Sequence, residues 1–187
     1  MVKIIKMAKK IKLVTWDIEG TLIPAEALKT EEADKIVRGN CLQLLREQPR
    51  LPLVDGVEKV MKRLHDKGAY QGVTSGYAYQ FANNYLSASA ARDYIDPRLI
   101  VLANKYAWEG HVLDGKNWDE VLAPYLKPNP TMLNIAKGKL EEIVGEKVEP
   151  NQCVHIGDQK HDEEAAKNAG WAFYNIKNIG DFLEEIK

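Results

Sequence analysis

Residues 13–23 read LVTWDIEGTLI, and this stretch decides the fold. The run Ile11–Trp16 is rich in β-branched and large apolar residues and stops abruptly at Asp17. Such a run predicts a strand buried on both faces. The polar step DIEGT places a carboxylate, Asp17, directly past the strand end. A carboxylate there can serve as nucleophile or metal ligand. Gly20 permits a tight turn and lets the backbone approach a phosphate or a metal. The plain alternative is a strand-ending turn closed by its own Asp side chain.

The same pattern recurs along the chain. Ala69–Val73 predicts a second strand that runs into TSG, and Leu99–Ala103 a third. Gln152–Ile156 predicts a fourth that runs into GDQKHD, and Trp171–Ile176 a fifth. Helical patterns lie between them. In Asp55–Gly68, residues Val57, Val60, Met61 and Leu64 share one face, with Asp55 as the expected N-cap and Gly68 as the stop. Further helices are predicted over Tyr77–Arg92, over Pro130–Val144 with Asn129 as cap, over Asp162–Ala169 closed by Gly170, and over Asp181–Lys187. Residues 25–46 also have helical character, ended by Pro49 and Pro52. Asn104–Leu126 fits either a hairpin or a loop with a short helix. Strands alternating with helices predict one α/β domain: a three-layer α/β/α, Rossmann-like parallel sheet of about five strands. Chemistry in such sheets gathers at the carboxyl ends of the strands.

Composition narrows the function classes. The chain has 187 residues, 26 Lys+Arg against 27 Asp+Glu, and is 45% hydrophobic. The near-zero net charge argues against a general nucleic-acid coat. No apolar run approaches the roughly 18 residues of a membrane span. The lysine-studded start MVKIIKMAKKIK does not read as a secretory signal. Cys41 and Cys153, far apart, imply no disulfide framework. The expectation is a soluble, cytoplasmic protein without a membrane partner, monomeric or dimeric.

Three other steps carry candidate chemistry. Thr74 and Ser75 follow the second strand, where a hydroxyl and backbone N–H groups can hold phosphate oxygens; a helix cap at Ser75 is the plain alternative. Lys127, in KPNP before a helix, can neutralise a phosphate or a carboxylate pair, although most lysines are simply solvated. Asp158 and Asp162 in GDQKHD suit a hard cation such as Mg2+, or else cap a helix. His161 reads as a solvated loop residue, because hard cations prefer oxygen ligands, and His155 as a satisfied core histidine.

Taken in order, LVTWDIEGTLI, GVTSG, KPNP and VHIGDQKHDEEAAKNAG resemble the four motifs of the haloacid dehalogenase-like (HAD) superfamily, in its phosphatase branch. The stretch VDGVEKVMKRLHDKG resembles the helix before the second motif. The resemblance spans roughly Lys12–Ile176. It implies that Asp17 is the nucleophile of a Mg2+-dependent phosphatase, forming an aspartyl-phosphate from a small phosphorylated substrate. It implies that Mg2+ is held by Asp17, Asp158 and the Glu19 carbonyl, that Thr74, Ser75 and Lys127 bind the phosphoryl oxygens, and that Asp162 orients ligands and Lys127 from behind. Glu19 stands where the family's phosphatases usually carry an Asp that protonates the leaving oxygen and then activates water. The extra methylene puts rate rather than chemistry in question, and a dehalogenase needs neither this acid nor a metal. Residues 24–52 leave room for only a small helical cap. The competing reading is a weakened phosphate- or metal-binding module that acts through a partner. A receiver-like signalling domain is contradicted by the motif order.

Overall fold

The computed structural model describes residues 10–27, 51–76, 79–110 and 117–187. Its centre is a five-stranded sheet in the order β3-β2-β1-β4-β5, formed by β1 (Leu13–Trp16), β2 (Tyr70–Ser75), β3 (Ile100–Leu102), β4 (Cys153–Gly157) and β5 (Ala172–Asn175). Every pairing is parallel. The chain builds outward from β1 through β2 to β3, then crosses back to lay β4 on the other side of β1. That reversal opens a crevice at the carboxyl ends of β1 and β4, the usual ligand position in open α/β sheets.

Both faces of the sheet are covered, which explains the continuous rather than alternating apolar runs. β1 and β4 are buried at every position. Val14 and Trp16 join Val73, Val154 and Ile156 in one core, which α1 (Val57–Asp66) and α7 (Ile179–Glu185) close with Val57, Met61, Leu64 and Phe182. Leu13, Val101 and Cys153 point to the other core, closed by α5 (Thr131–Val144) and α6 (Lys160–Ala169) with Met132, Leu140 and Ala165. The remaining helices are α2 (Tyr79–Ala88), α3 (Ala103–Gly110) and α4 (Trp118–Leu122). One buried polar chain is fully satisfied: Trp16 Nε1 donates to Gln71 Oε1 at 3.2 Å, and Gln71 Nε2 donates to the Met61 carbonyl at 2.8 Å.

Several boundaries differ from the sequence expectation. β2 runs on through Thr74 and Ser75, whose side chains tolerate strand geometry. Gly56, not Asp55, occupies the N-cap of α1, with φ of 84°. Pro130 takes the cap position of α5, while Asn129 Oδ1 accepts from the Thr131 backbone N–H at 3.3 Å. The 104–126 region is not a hairpin: it forms α3, α4 and a 3-10 turn, Ala123–Tyr125. The expected cap over 24–52 falls almost wholly outside the described residues. The residues flanking it meet, since the Val54 N–H donates to the Leu22 carbonyl at 3.0 Å, and the Leu51 N–H donates to the Ala88 carbonyl at 3.0 Å. Among the described residues, no helix is long and apolar enough to cross a membrane.

Glycine spacing tests the packing. A Cβ at Gly72 would lie 2.5 Å from the Leu99 carbonyl oxygen, a backbone atom that cannot step aside, whereas a Cβ at Gly138 in α5 meets nothing within 4 Å. Gly72→Ala is expected to destabilise by about 1–3 kcal/mol. Gly138→Ala is expected to stabilise by about 0.5–1 kcal/mol. Urea unfolding midpoints measure both, and equal shifts of one sign would contradict the packing described.

Candidate active site

The loop after β1 is wound tightly. The N–H groups of Thr21, Leu22 and Ile23 all donate to the Ile18 carbonyl, and Gly20 N–H donates to the Ile23 carbonyl at 2.8 Å. Gly20 has φ of 70°, and a Cβ there would lie 2.7 Å from Asp158 Oδ2. The turn therefore brings the backbone of the first motif against the side chain of the fourth. Thr21, itself buried, points its Oγ1 at Asp158 Oδ1 at 3.5 Å. From β5, Asn175 Nδ2 donates to the Asp158 carbonyl at 3.3 Å. Gln159 Nε2 donates to Asp158 Oδ2 in a short contact.

Lys127 connects the parts. Its Nζ donates to Asp17 Oδ1 and to Asp162 Oδ1, each at 2.6 Å, and its side chain is 5% exposed. Asn168 Nδ2 in α6 donates to the Pro128 carbonyl at 3.1 Å and ties down the KPNP turn. Asp162 is fully buried and serves three donors besides: the Gln159 N–H, capping α6, at 3.0 Å, His155 Nε2 at 3.4 Å, and Lys127. A Cβ at Gly157 would lie 2.4 Å from Asp162 Cγ, so Gly157 leaves the space that Asp162 fills. His155 Nδ1 lies 3.0 Å from Thr15 Oγ1. The histidine is a satisfied core residue, and it also backs the carboxylate that holds Lys127.

Charge follows from this geometry. Burial alone would pull the Lys127 ammonium down, but Asp17 and Asp162 outweigh it and hold the pKa above its ordinary value. Burial would push the Asp162 carboxyl up; the His155 and Lys127 donors reverse that and hold it well below the carboxylate range. Burial pulls His155 down, helped by Lys127. Asp158 is raised, first by burial and then by Asp17 and Asp162.

Asp17, Glu19, Ser75, Gly76, Asp158, Gln159 and His161 line one cavity of about 510 Å3 at the carboxyl edge of β1, β2 and β4. Of the residues singled out in the sequence, Asp17, Glu19, Ser75 and Asp158 meet there, and Lys127 and Asp162 stand directly behind Asp17. Glu19 is exposed at the mouth. His161 belongs to α6 rather than a loop, and is half exposed in the cavity wall. Thr74 does not line the cavity. Its Oγ1 is buried and lacks a hydrogen-bond partner among the described residues, an orphan that a bound oxyanion would satisfy. Carboxylate oxygens of Asp17, Asp158 and Asp162 lie within 4.8 Å of one another. An all-oxygen donor set fits a hard divalent cation. Asp162 is engaged by its donors, so Asp17 and Asp158 are the carboxylates better placed to hold an ion. The reading missed Asn175 and the tie from His155 to Asp162; a polar residue inside an otherwise apolar strand, as in CVHIG, was the available signal for the second.

Fold and site together define a parallel α/β protein with a carboxylate and lysine centre at the sheet's topological switch point. The chain belongs to the haloacid dehalogenase-like hydrolases, whose family model matches residues 25–170. The matched stretch contains Thr74, Lys127, Asp158 and Asp162 and begins after Asp17, which the first motif and the contact with Lys127 add to the group. Among solved structures, a HAD-superfamily hydrolase from Ehrlichia chaffeensis is 15% identical with a TM-score of 0.60, over 96% of this chain and 99% of that one. CbbY from Rhodobacter sphaeroides, in complex with phosphate, is 16% identical with a TM-score of 0.57, over 88% and 85%. A HAD-superfamily hydrolase of subfamily IA from Geobacter sulfurreducens is 16% identical with a TM-score of 0.53, over 92% and 96%. These likenesses are of fold. No curated protein sequence matches the chain.

Asp162→Asn tests the electrostatic account. A carboxyl depressed by folding adds stability above its unfolded value of about 3.9 and loses it as pH falls through the folded value. The wild type is therefore expected to lose stability on acidification below about pH 4, and the variant to show a flatter profile there. At pH 7 the variant should be less stable by about 3 kcal/mol, because Lys127 loses one of two buried counter-charges. Chemical unfolding at several pH values reads both effects; parallel profiles would refute the assignment.

Proposed function

We propose that the protein is a Mg2+-dependent phosphatase that hydrolyses a phosphomonoester through an aspartyl-phosphate on Asp17. The observation that carries this reading is the Lys127 ammonium, 2.6 Å from both Asp17 and Asp162 at the back of a carboxylate-lined cavity. A carboxylate that is to attack a phosphate dianion must be aimed and partly neutralised, and on this reading the Lys127 contact supplies both.

On this reading, an Asp17 carboxylate oxygen bonds to phosphorus while the ester P–O bond breaks. The Glu19 carboxyl gives its proton to the departing oxygen. Glu19, now a carboxylate, takes a proton from water, and the water oxygen attacks phosphorus. Asp17 is released as a carboxylate, together with inorganic phosphate. Glu19 suits both roles because it stands exposed at the cavity mouth, where a leaving group and water can reach it. Ser75, the orphaned Thr74 hydroxyl and Lys127 bind the phosphoryl oxygens. Asp17, Asp158 and the Glu19 carbonyl would hold Mg2+. When bound, the ion offsets charge on the nucleophile and the transferring group, which otherwise repel. Thr21, Gln159 and Asn175 orient Asp158 for that task. We propose that residues 24–52 supply a small cap, flanked by Leu22 and Val54, which meet through a backbone hydrogen bond.

Hydrolysis of 4-nitrophenyl phosphate with and without Mg2+ tests the reading. Turnover is expected to need the metal, and Asp17→Asn to lower kcat by about a thousandfold or more. Mg2+ alone should raise Tm in the wild type, as any ligand selective for the native state does, and not in Asp158→Asn. Metal and phosphate binding without turnover would favour the non-catalytic module instead.

A further inference from the structure

Among the described residues, the exposed large apolar side chains are Trp108, 67% exposed, and Leu126, 38% exposed. Both belong to the segment between β3 and α5, which meets the cavity wall at Gly76 through Asn104 and Leu126. Asn104 Nδ2, in the first turn of α3, donates to the Gly76 carbonyl at 3.2 Å, and Gly76 lines the cavity. Trp108 follows Asn104 by four residues, so it lies on the same helix face about 6 Å further along. Leu126 directly precedes Lys127, and its Cδ2 lies 3.4 Å from the position of a Cβ on Gly76. Trp118 opens α4 and meets Trp108 at a centroid distance of 6.1 Å, with the rings tilted by 58°. Tyr106 and Tyr125 of the same segment pack into the core and anchor it. The Trp108 ring is left outside the core, braced by Trp118, on an element hydrogen-bonded to the cavity wall.

From this placement we infer that Trp108, supported by Trp118 and Leu126, is a specificity-determining platform for the organic part of the substrate. The substrate is then a phosphomonoester whose leaving group carries a flat aromatic ring, as a nucleoside monophosphate does. The phosphate sits at Asp17 and Lys127, and the ring extends past Gly76 to stack on the indole. Large exposed aromatics beside a polar cavity are the form such platforms take, because every flat ring offers a face whatever its edge groups. This inference rests on the phosphatase reading for the position of the phosphate, and its test separates the two.

The test compares adenosine 5′-monophosphate with ribose 5-phosphate, which has the phosphate and sugar but no ring. In the wild type, kcat/KM is expected to favour the nucleotide. In Trp108→Ala the ratio of the two values is expected to fall about tenfold, the scale of one lost stacking contact. Trp108→Phe should keep most of the preference. A second arm needs no turnover: in the Asp17→Asn protein, adenosine 5′-monophosphate should quench tryptophan fluorescence and ribose 5-phosphate should not. Trp16 and Trp171 are buried, so replacing Trp108 should remove most of that quenching. An unchanged ratio, an equal loss on both substrates, or quenching that survives without Trp108 overturns the platform. So does a Trp108→Ala protein that merely changes from dimer to monomer at constant ratio. If neither compound is hydrolysed, the phosphatase reading fails, and the quenching arm still decides for or against the platform.

Discussion

The buried ammonium of Lys127 is the constraint on which the rest of the site depends. Withdrawing such an ion from water costs several kcal/mol, and one carboxylate seldom compensates in full. Here two do, and they come from opposite ends of the chain: Asp17 from the end of β1 and Asp162 from the first turn of α6. The lysine thus joins three segments that share no local reason to meet. Each contact has its own support. Asp162 fits because Gly157 has no side chain, it is aimed by capping the helix that carries it, and it is backed by His155. His155 is in turn set by the register of β4 against β1, which places it beside Thr15. A one-residue slip of β4 in that pairing would turn His155 to the other face, away from Thr15 and Asp162.

How far this was legible in the sequence depends on whether a residue's signal is local. The strands that end in DIEGT and GDQKHD announce themselves, because a strand buried on both faces stays mostly apolar until it leaves the sheet. Lys127 was legible only through its place in KPNP and the order of the motifs; nothing local distinguishes it from a solvated lysine. Its burial is a property of two distant carboxylates. Asn175 left no trace, since it acts through a backbone carbonyl on a neighbouring strand. The extension of β2 through Thr74 and Ser75 was missed for a related reason. Polar residues read as a strand exit, yet here the sheet continues through both hydroxyls to Ser75 at the cavity edge. Helices α3 and α4 were obscured because each is short, and the aromatic content of 104–126 fits several local structures equally well.

The charge balance explains why such a site can be both stable and reactive. Among the described residues, Asp17, Glu19, Asp158 and Asp162 gather about the Lys127 ammonium, with His155 pulled toward its neutral form. Lys127 and Asp162 form the settled part: buried, hydrogen-bonded to each other and directly behind Asp17 at the back of the cavity. Asp158 is the unsettled part, with its carboxyl raised by burial and by its acidic neighbours; among the described residues Gln159 and Thr21 donate to that carboxyl, and Asn175 donates to the Asp158 carbonyl. A group held in an unfavourable charge state by the fold gains the most from a ligand of opposite sign. The raised carboxyl of Asp158 thus faces the cavity beside Asp17 and Glu19, with the paired Lys127 and Asp162 behind them. On the proposed reading this division is functional: the inner pair fixes where Asp17 points, while the outer carboxylate remains available for the cation. Ser75, Thr74 and the exposed Glu19 then meet the phosphate from the open side, where a ring-bearing leaving group has room to reach Trp108.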